Sequence, residues 1–222
     1  MDADEILSRY RRYRELSIKH HSQALARVSV DTMLERARHI GMAKGRTLIV
    51  GNESEYPMAY DLALYTAPAG RSRAVDRHVQ TALPNAEGEE AEVVDGMRKA
   101  RFALVSVIGR HEVAGVMLRD LGRHEDIWLV DEALAEVAKP GLYLALRMMP
   151  VGGFWITCGV LVPVGPSLLA EAMTTSARSK WEAPSAQALD EPRLAIAIYR
   201  AAISQEAMAG ISYRDVNEAV AR

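Results

Sequence analysis

The segment Phe102-Ala103-Leu104-Val105-Ser106-Val107-Ile108 decides how this chain folds. Before it, apolar residues recur at helical spacing. Here they run together, rich in β-branched types, and Gly109-Arg110-His111 ends them in a turn. Four similar runs follow, Val113 to Leu118, Ile127 to Val130, Leu142 to Met148 and Phe154 to Val162. Leu121-Gly122, Lys139-Pro140-Gly141 and Gly152-Gly153 separate them as turns. Five short strands at this spacing predict a small antiparallel β-meander or partly closed barrel over about 101–162.

Outward from this block the chain is helical on both sides. Residues 3–28 read as one long helix, with Ile6, Tyr10, Tyr13, Ala24 and Val28 on one stripe. A second helix is expected over Asp31 to Ile40. There Thr32 and Glu35 have capping-box spacing, and Gly41 offers a left-handed stop. Thr47-Leu48-Ile49-Val50 reads as a short buried strand. Three short helices then fill 55–100, broken at Pro68-Ala69-Gly70 and at Pro84 to Gly88. After Pro163 helices are expected over Ser167 to Ser179, Arg193 to Met208 and from Ser212, with a loop at Trp181 to Pro192. No long linker intervenes. The expectation is one integrated α+β domain over 1–222, helical to 100, β-rich over 101–163 and helical again from 164.

Composition narrows the class. A net charge of −2 provides no global attraction to nucleic acid or anionic lipid. The single cysteine, Cys158, excludes an intrachain disulfide and a multi-thiolate zinc site. Met1-Asp2-Ala3-Asp4-Glu5 is acidic where a leader would be basic. No run approaches the roughly 18 apolar residues of a membrane span. A cytoplasmic protein, off the membrane and without a cofactor, is therefore expected.

Three residue sets carry possible chemistry. Gly109-Arg110-His111-Glu112 recurs as Gly122-Arg123-His124-Glu125. Were the two turns to meet, His111, Glu112, His124 and Glu125 could hold a divalent metal, and the arginines a phosphate. Such residues also suit plain hairpin ends, and no established ligand spacing is present. On the first helix Arg9, Arg12, Lys19 and Arg27 share one arc that could track phosphates, or could simply be a solvated face. Arg14 and His21 fall on the apolar side of that helix. A buried guanidinium must be paired, within the fold, across a dimer interface or by a ligand. With Tyr10 and Tyr13 they make a candidate homodimer interface. Phosphate-loop, dinucleotide, nucleophile-elbow and zinc-protease signatures are missing.

Ala37-Arg38-His39-Ile40-Gly41-Met42, Met97-Arg98-Lys99-Ala100-Arg101-Phe102, Leu118-Arg119-Asp120-Leu121, Leu129-Val130-Asp131, Pro140-Gly141 and Ala145-Leu146-Arg147 follow in order. In this order the chain resembles a group of uncharacterised bacterial proteins of similar length. The β-rich part also resembles a segment of some proteins with a SEC-C zinc tail. That tail takes several cysteines and a histidine, so the resemblance brings no metal here. It implies no activity. The function expected is a non-catalytic binding or regulatory module with an unknown protein partner. Nucleic-acid binding through the first helix and metal-dependent hydrolysis at the two turns are the alternatives.

Overall fold

The computed structural model describes residues 2–68, 70–176 and 192–208. Most of the loop expected at Trp181 to Pro192 and the helix expected from Ser212 lie outside the described residues.

The β-rich block forms a closed five-stranded barrel. Its strands are β3 (Arg101–Arg110), β4 (Val116–Asp120), β5 (Asp126–Leu129), β6 (Tyr143–Val151) and β7 (Phe154–Pro163). The first three join as hairpins, and β6 returns beside β3 in a Greek-key order. β3 is long enough to serve two partners. Its first half pairs with β6 (Arg101↔Met148 to Ser106↔Tyr143) and its second half with β4 (Val105↔Asp120 to Arg110↔Val116). β7 closes the barrel, antiparallel to β6 and parallel to β5 at Leu129↔Trp155. The sheet is thus mixed where sequence reading expected only antiparallel pairs. The cause is α6 (Glu132–Val137), capped by Asp131 Oδ1 accepting from Leu134 N at 2.9 Å, which sequence reading missed. Its insertion after β5 sends the chain to the far side of the barrel before β6 begins.

Over most of β3, β6 and β7 both faces of the barrel wall are covered, so these strands read as nearly unbroken apolar runs, while β4 and β5 alternate buried and more exposed residues. Ala103, Val105, Val107, Leu118, Ile127 and Leu146 fill the interior. Phe102, Leu104, Ala145, Val160 and Val162 point outward. They pack against α2 (Val30–His39), α3 (Tyr56–Tyr65), α7 (Pro166–Ser176) and α8 (Pro192–Ser204). A second outer cluster joins α1 (Ala3–Leu25), α4 (Ala74–Ala82) and α5 (Gly88–Lys99) to the β6–β7 hairpin. Contact there is close. A Cβ on Gly96 of α5 would sit 2.5 Å from the Pro150 carbonyl oxygen. The hairpin turns on Gly152 and Gly153, both at positive φ (53° and 94°), as a two-residue loop requires.

Near the start of the chain two details differ from expectation. Ser29, not Thr32, caps α2, its Oγ accepting from Thr32 N at 3.2 Å. Thr47-Leu48 forms only half of a small exposed hairpin, paired with Ala43-Lys44 (β1 and β2 in chain order), and Ile49 is exposed. The apolar run there lacks a covering element, and a run alone does not say which neighbour will cover it.

Candidate functional site

Six cationic side chains converge on one cavity at the end of the barrel where β3 begins and β4 turns into β5. Arg71 and Arg73 come from the segment before α4, Lys99 from the end of α5 and Arg101 from the start of β3. Arg123 comes from the β4–β5 turn and Arg147 from β6. The cavity has a volume of about 480 Å³, and among the described residues no carboxylate lines it. Tyr65 and Phe102 supply aromatic wall.

The acids lie behind the cations. Arg147 Nε and Nη2 donate to the two oxygens of Asp61 on α3, at 2.5 and 3.0 Å, and Tyr199 of α8 adds its hydroxyl to Oδ2 at 2.9 Å. The Arg147 guanidinium carbon lies 4.5 Å from the Tyr65 ring centroid and 5.6 Å from that of Phe102. Burial alone would pull this guanidinium's pKa down. The Asp61 charge more than offsets that, so it stays protonated. Asp120, fully buried, accepts from the backbone N–H groups of Gly122 (2.9 Å) and Arg123 (3.0 Å) and from Arg123 Nη1 (3.3 Å). Arg101 lies 3.5 Å from Asp120, pairs with Glu125 and rests on the Trp155 ring at 4.4 Å. Asp76 fixes Arg73 through Nε and Nη2 at 2.8 and 2.7 Å, and Asp95 holds Lys99 at 2.5 Å. Each carboxylate orients its cation and leaves the cavity face positive. Two donors remain unspent: Arg101 Nε is buried without a hydrogen-bond partner, and Arg71 makes no ion pair among the described residues.

The residues singled out from the sequence are distributed differently. The two Gly-Arg-His-Glu turns lie at opposite ends of β4 and do not meet. His111 stacks on Trp128 at 4.1 Å, its Nδ1 accepts from Val113 N, and Glu112 is exposed. In the second turn His124 takes positive φ (58°) and is exposed, while Glu125 holds Arg101. Among the described residues no group of three or more His, Cys, Asp or Glu is placed to hold a metal. The second turn does reach the cationic cavity, through Arg123.

The basic arc of α1 is largely exposed and runs along acids of α5 and the edge of α4. Arg12 makes two 2.8 Å bonds to Glu89, Lys19 bonds Glu90 at 2.7 Å and Arg9 donates to the Tyr13 hydroxyl at 2.7 Å. Arg27 meets Thr81 Oγ1 of α4 at 2.8 Å. Tyr10, Tyr13, Arg14 and His21, expected at a dimer interface, find partners within their own chain. Tyr10 and Tyr13 are buried, and the Tyr13 hydroxyl donates to Glu92. Arg14 Nη1 donates to the Thr157 carbonyl at 3.1 Å. His21 bonds Ser17 O through Nδ1 at 2.7 Å, so its Nε2 accepts from the Tyr65 hydroxyl at 2.6 Å. The cationic cavity itself escaped sequence reading. Its cations are spread over 77 residues, from Arg71 to Arg147, and no local spacing links them.

Fold and site together define an α+β protein: a helix-wrapped closed barrel with a cationic cavity at one end. Residues 4–186 match a family of unknown function (DUF7986), and the chain belongs to that family. No curated protein and no solved structure matches it. The further likeness to zinc-tailed proteins is not shown by these comparisons. Among the described residues, no helix is long and apolar enough to cross a membrane.

Proposed function

We propose that this protein is a non-catalytic binding module whose ligand is a small phosphorylated or polycarboxylate anion held in the cationic cavity. One observation carries the reading: six cations line about 480 Å³ of space with no carboxylate among the described lining residues. Planar guanidinium forks suit phosphate and carboxylate oxygens, and the volume falls in the range of small-molecule sites. The acids behind the cations support it further, because they hold the donors in place before any ligand arrives. Among the described residues the lining contains no His, Cys, Asp or Glu to serve as a general base or nucleophile, which favours binding over catalysis.

Nucleic-acid binding along α1 would require Arg12 and Lys19 to leave Glu89 and Glu90. A hydrolase built on the two repeated turns would require the ends of β4 to come together.

Calorimetric titration with pyrophosphate at low salt tests the cavity. Binding is expected, weakening as salt screens the cations. Arg71 is exposed, so Arg71→Glu should leave the fold intact and weaken pyrophosphate at least tenfold. No binding of pyrophosphate or citrate at low salt, or undiminished binding by the Arg71→Glu variant, would overturn the reading.

A further inference from the structure

A second cavity, of about 260 Å³, opens between α1, α3 and β7, behind the cationic one. Its walls are mostly apolar: Ile18 and Leu25 from α1, Pro57, Tyr60 and Leu64 from α3, and Val160 from β7. Ile18 and Tyr60 stand at its mouth, 46% and 38% exposed. For side chains of this size that leaves apolar surface uncovered at a concave site.

The polar end of the cleft holds one unresolved charge. Arg14 lines the cavity, yet its guanidinium has a single hydrogen bond, from Nη1 to the Thr157 carbonyl at 3.1 Å. Its Nε is buried and without a partner. Among the described residues no carboxylate comes within 4.0 Å of it. The acids nearby are committed elsewhere. Asp131 caps α6 and accepts from Thr157 Oγ1, while Asp61, which also lines the cleft, is neutralised by Arg147. Three other groups around the cleft are kept neutral near pH 7 by burial. Burial pushes the Cys158 thiol up to about 12 and lowers His21 to about 4, and it raises Tyr65 well above its usual value. The cleft therefore carries one net positive charge beside an apolar wall. A half-buried guanidinium without a counter-ion is costly, and a ligand's anionic group would relieve it.

We propose that this cleft is a second binding site, for a small monocarboxylic acid with an apolar tail, its carboxylate on Arg14 and its tail between Ile18, Tyr60 and Val160. A single guanidinium matches a single negative charge. A phosphate dianion would bring a second charge close to Asp61 with no cation to meet it. At about 30 Å³ per water-sized group, the volume takes roughly eight or nine methylene-sized units, the length of octanoate. The site is distinct from the cationic cavity, although Tyr65 lines both and the Asp61–Arg147 pair lies between them.

Calorimetry on the full chain with octanoate and with octan-1-ol tests the proposal. Octanoate should bind at least tenfold more tightly than the alcohol. Arg14→Leu should abolish that preference while leaving the alcohol's affinity within about threefold. Ile18→Glu, on an exposed rim position, should weaken octanoate at least tenfold without shifting thermal unfolding by more than a few degrees. Pyrophosphate should not compete, and Arg71→Glu should leave octanoate binding unchanged, which keeps this site's fate separate from the other's. No octanoate binding at millimolar concentration, equal affinity for acid and alcohol, or competition by pyrophosphate would each overturn it. Should Arg14→Leu fail to fold, undiminished octanoate binding by Ile18→Glu would overturn it alone.

Discussion

Asp61 serves two partners at once, Arg147 through both oxygens and Tyr199 through one, at a position shut off from solvent. The pair joins α3 to β6 and forms the wall between the two cavities. Removing one charge of such a pair leaves the other buried and unpaired, which costs about 3–5 kcal/mol. Asp61→Asn should therefore lower stability by an amount of that order, measured by urea unfolding. The double variant Asp61→Asn/Arg147→Met should recover part of the loss, because it removes the stranded charge. His21 makes a pH prediction. Burial holds its pKa down at about 4 in the folded chain, against 6.5 when unfolded. Between those values the unfolded state binds the extra proton, so stability is full above pH 6.5 and lost as pH falls towards 4. His78 works in the same direction, lowered by burial and then by His20 and Arg27. Unfolding midpoints measured from pH 7 to pH 4.5 should fall, and His21→Gln should flatten the slope by up to roughly 1.4 kcal/mol per pH unit. An unchanged slope would remove His21 from this account.

At the scale of elements, α1 is held in two ways. The apolar side of α1 sinks Tyr13 against Phe154, at 5.8 Å between ring centroids. Its basic arc lies along Glu89 and Glu90. The Arg12–Glu89 pair is half-exposed, so its own contribution is about 0.2–1 kcal/mol. Arg12→Glu should cost roughly 1 kcal/mol, and adding Glu89→Arg should restore most of it, as thermal unfolding would show. Packing at Gly96 is less forgiving. Alanine is the better helix former by about 1 kcal/mol, but its Cβ would meet the Pro150 carbonyl oxygen at 2.5 Å. That oxygen belongs to strand backbone and cannot swing aside. Gly96→Ala should therefore be net destabilising, by roughly 1–3 kcal/mol. A stabilised variant would show that α5 can slide on β6.

At the scale of the whole molecule, the described residues form three clusters that share the barrel wall: one inside it and two outside. α1 covers one outer cluster, with Ile6, Tyr10, Tyr13 and Ala24 all buried there. Deleting residues 2–28 should expose that face and abolish cooperative thermal unfolding, rather than release a folded remainder. A deletion variant with a sharp transition near that of the full chain would contradict the packing described.

Local chemistry determined much of this in advance. The apolar run from Phe102, the turns at Gly122, Gly141 and Gly152, and the 3.6-residue stripe of α1 each depend on neighbours within a few positions. They sufficed for an α+β chain with a barrel between helices. At Gly109, where the sequence predicts a turn, β3 instead continues to Arg110 through a register shift. The anomaly of Arg14 and His21 was legible too, because a charged group on an apolar stripe conflicts with its surroundings in the sequence itself. What covers a surface, and which charges meet, is decided only by tertiary structure. The basic arc of α1 met Glu89 and Glu90, more than 70 residues away. The parallel closure of β5 on β7 depended on where α6 carried the chain. The cationic cavity exists because closing the barrel brings Arg101, Arg123 and Arg147 to one end, while two carboxylates, Asp61 and Asp120, turn those cations towards it. A charge acts through space, and the sequence records only its order along the chain.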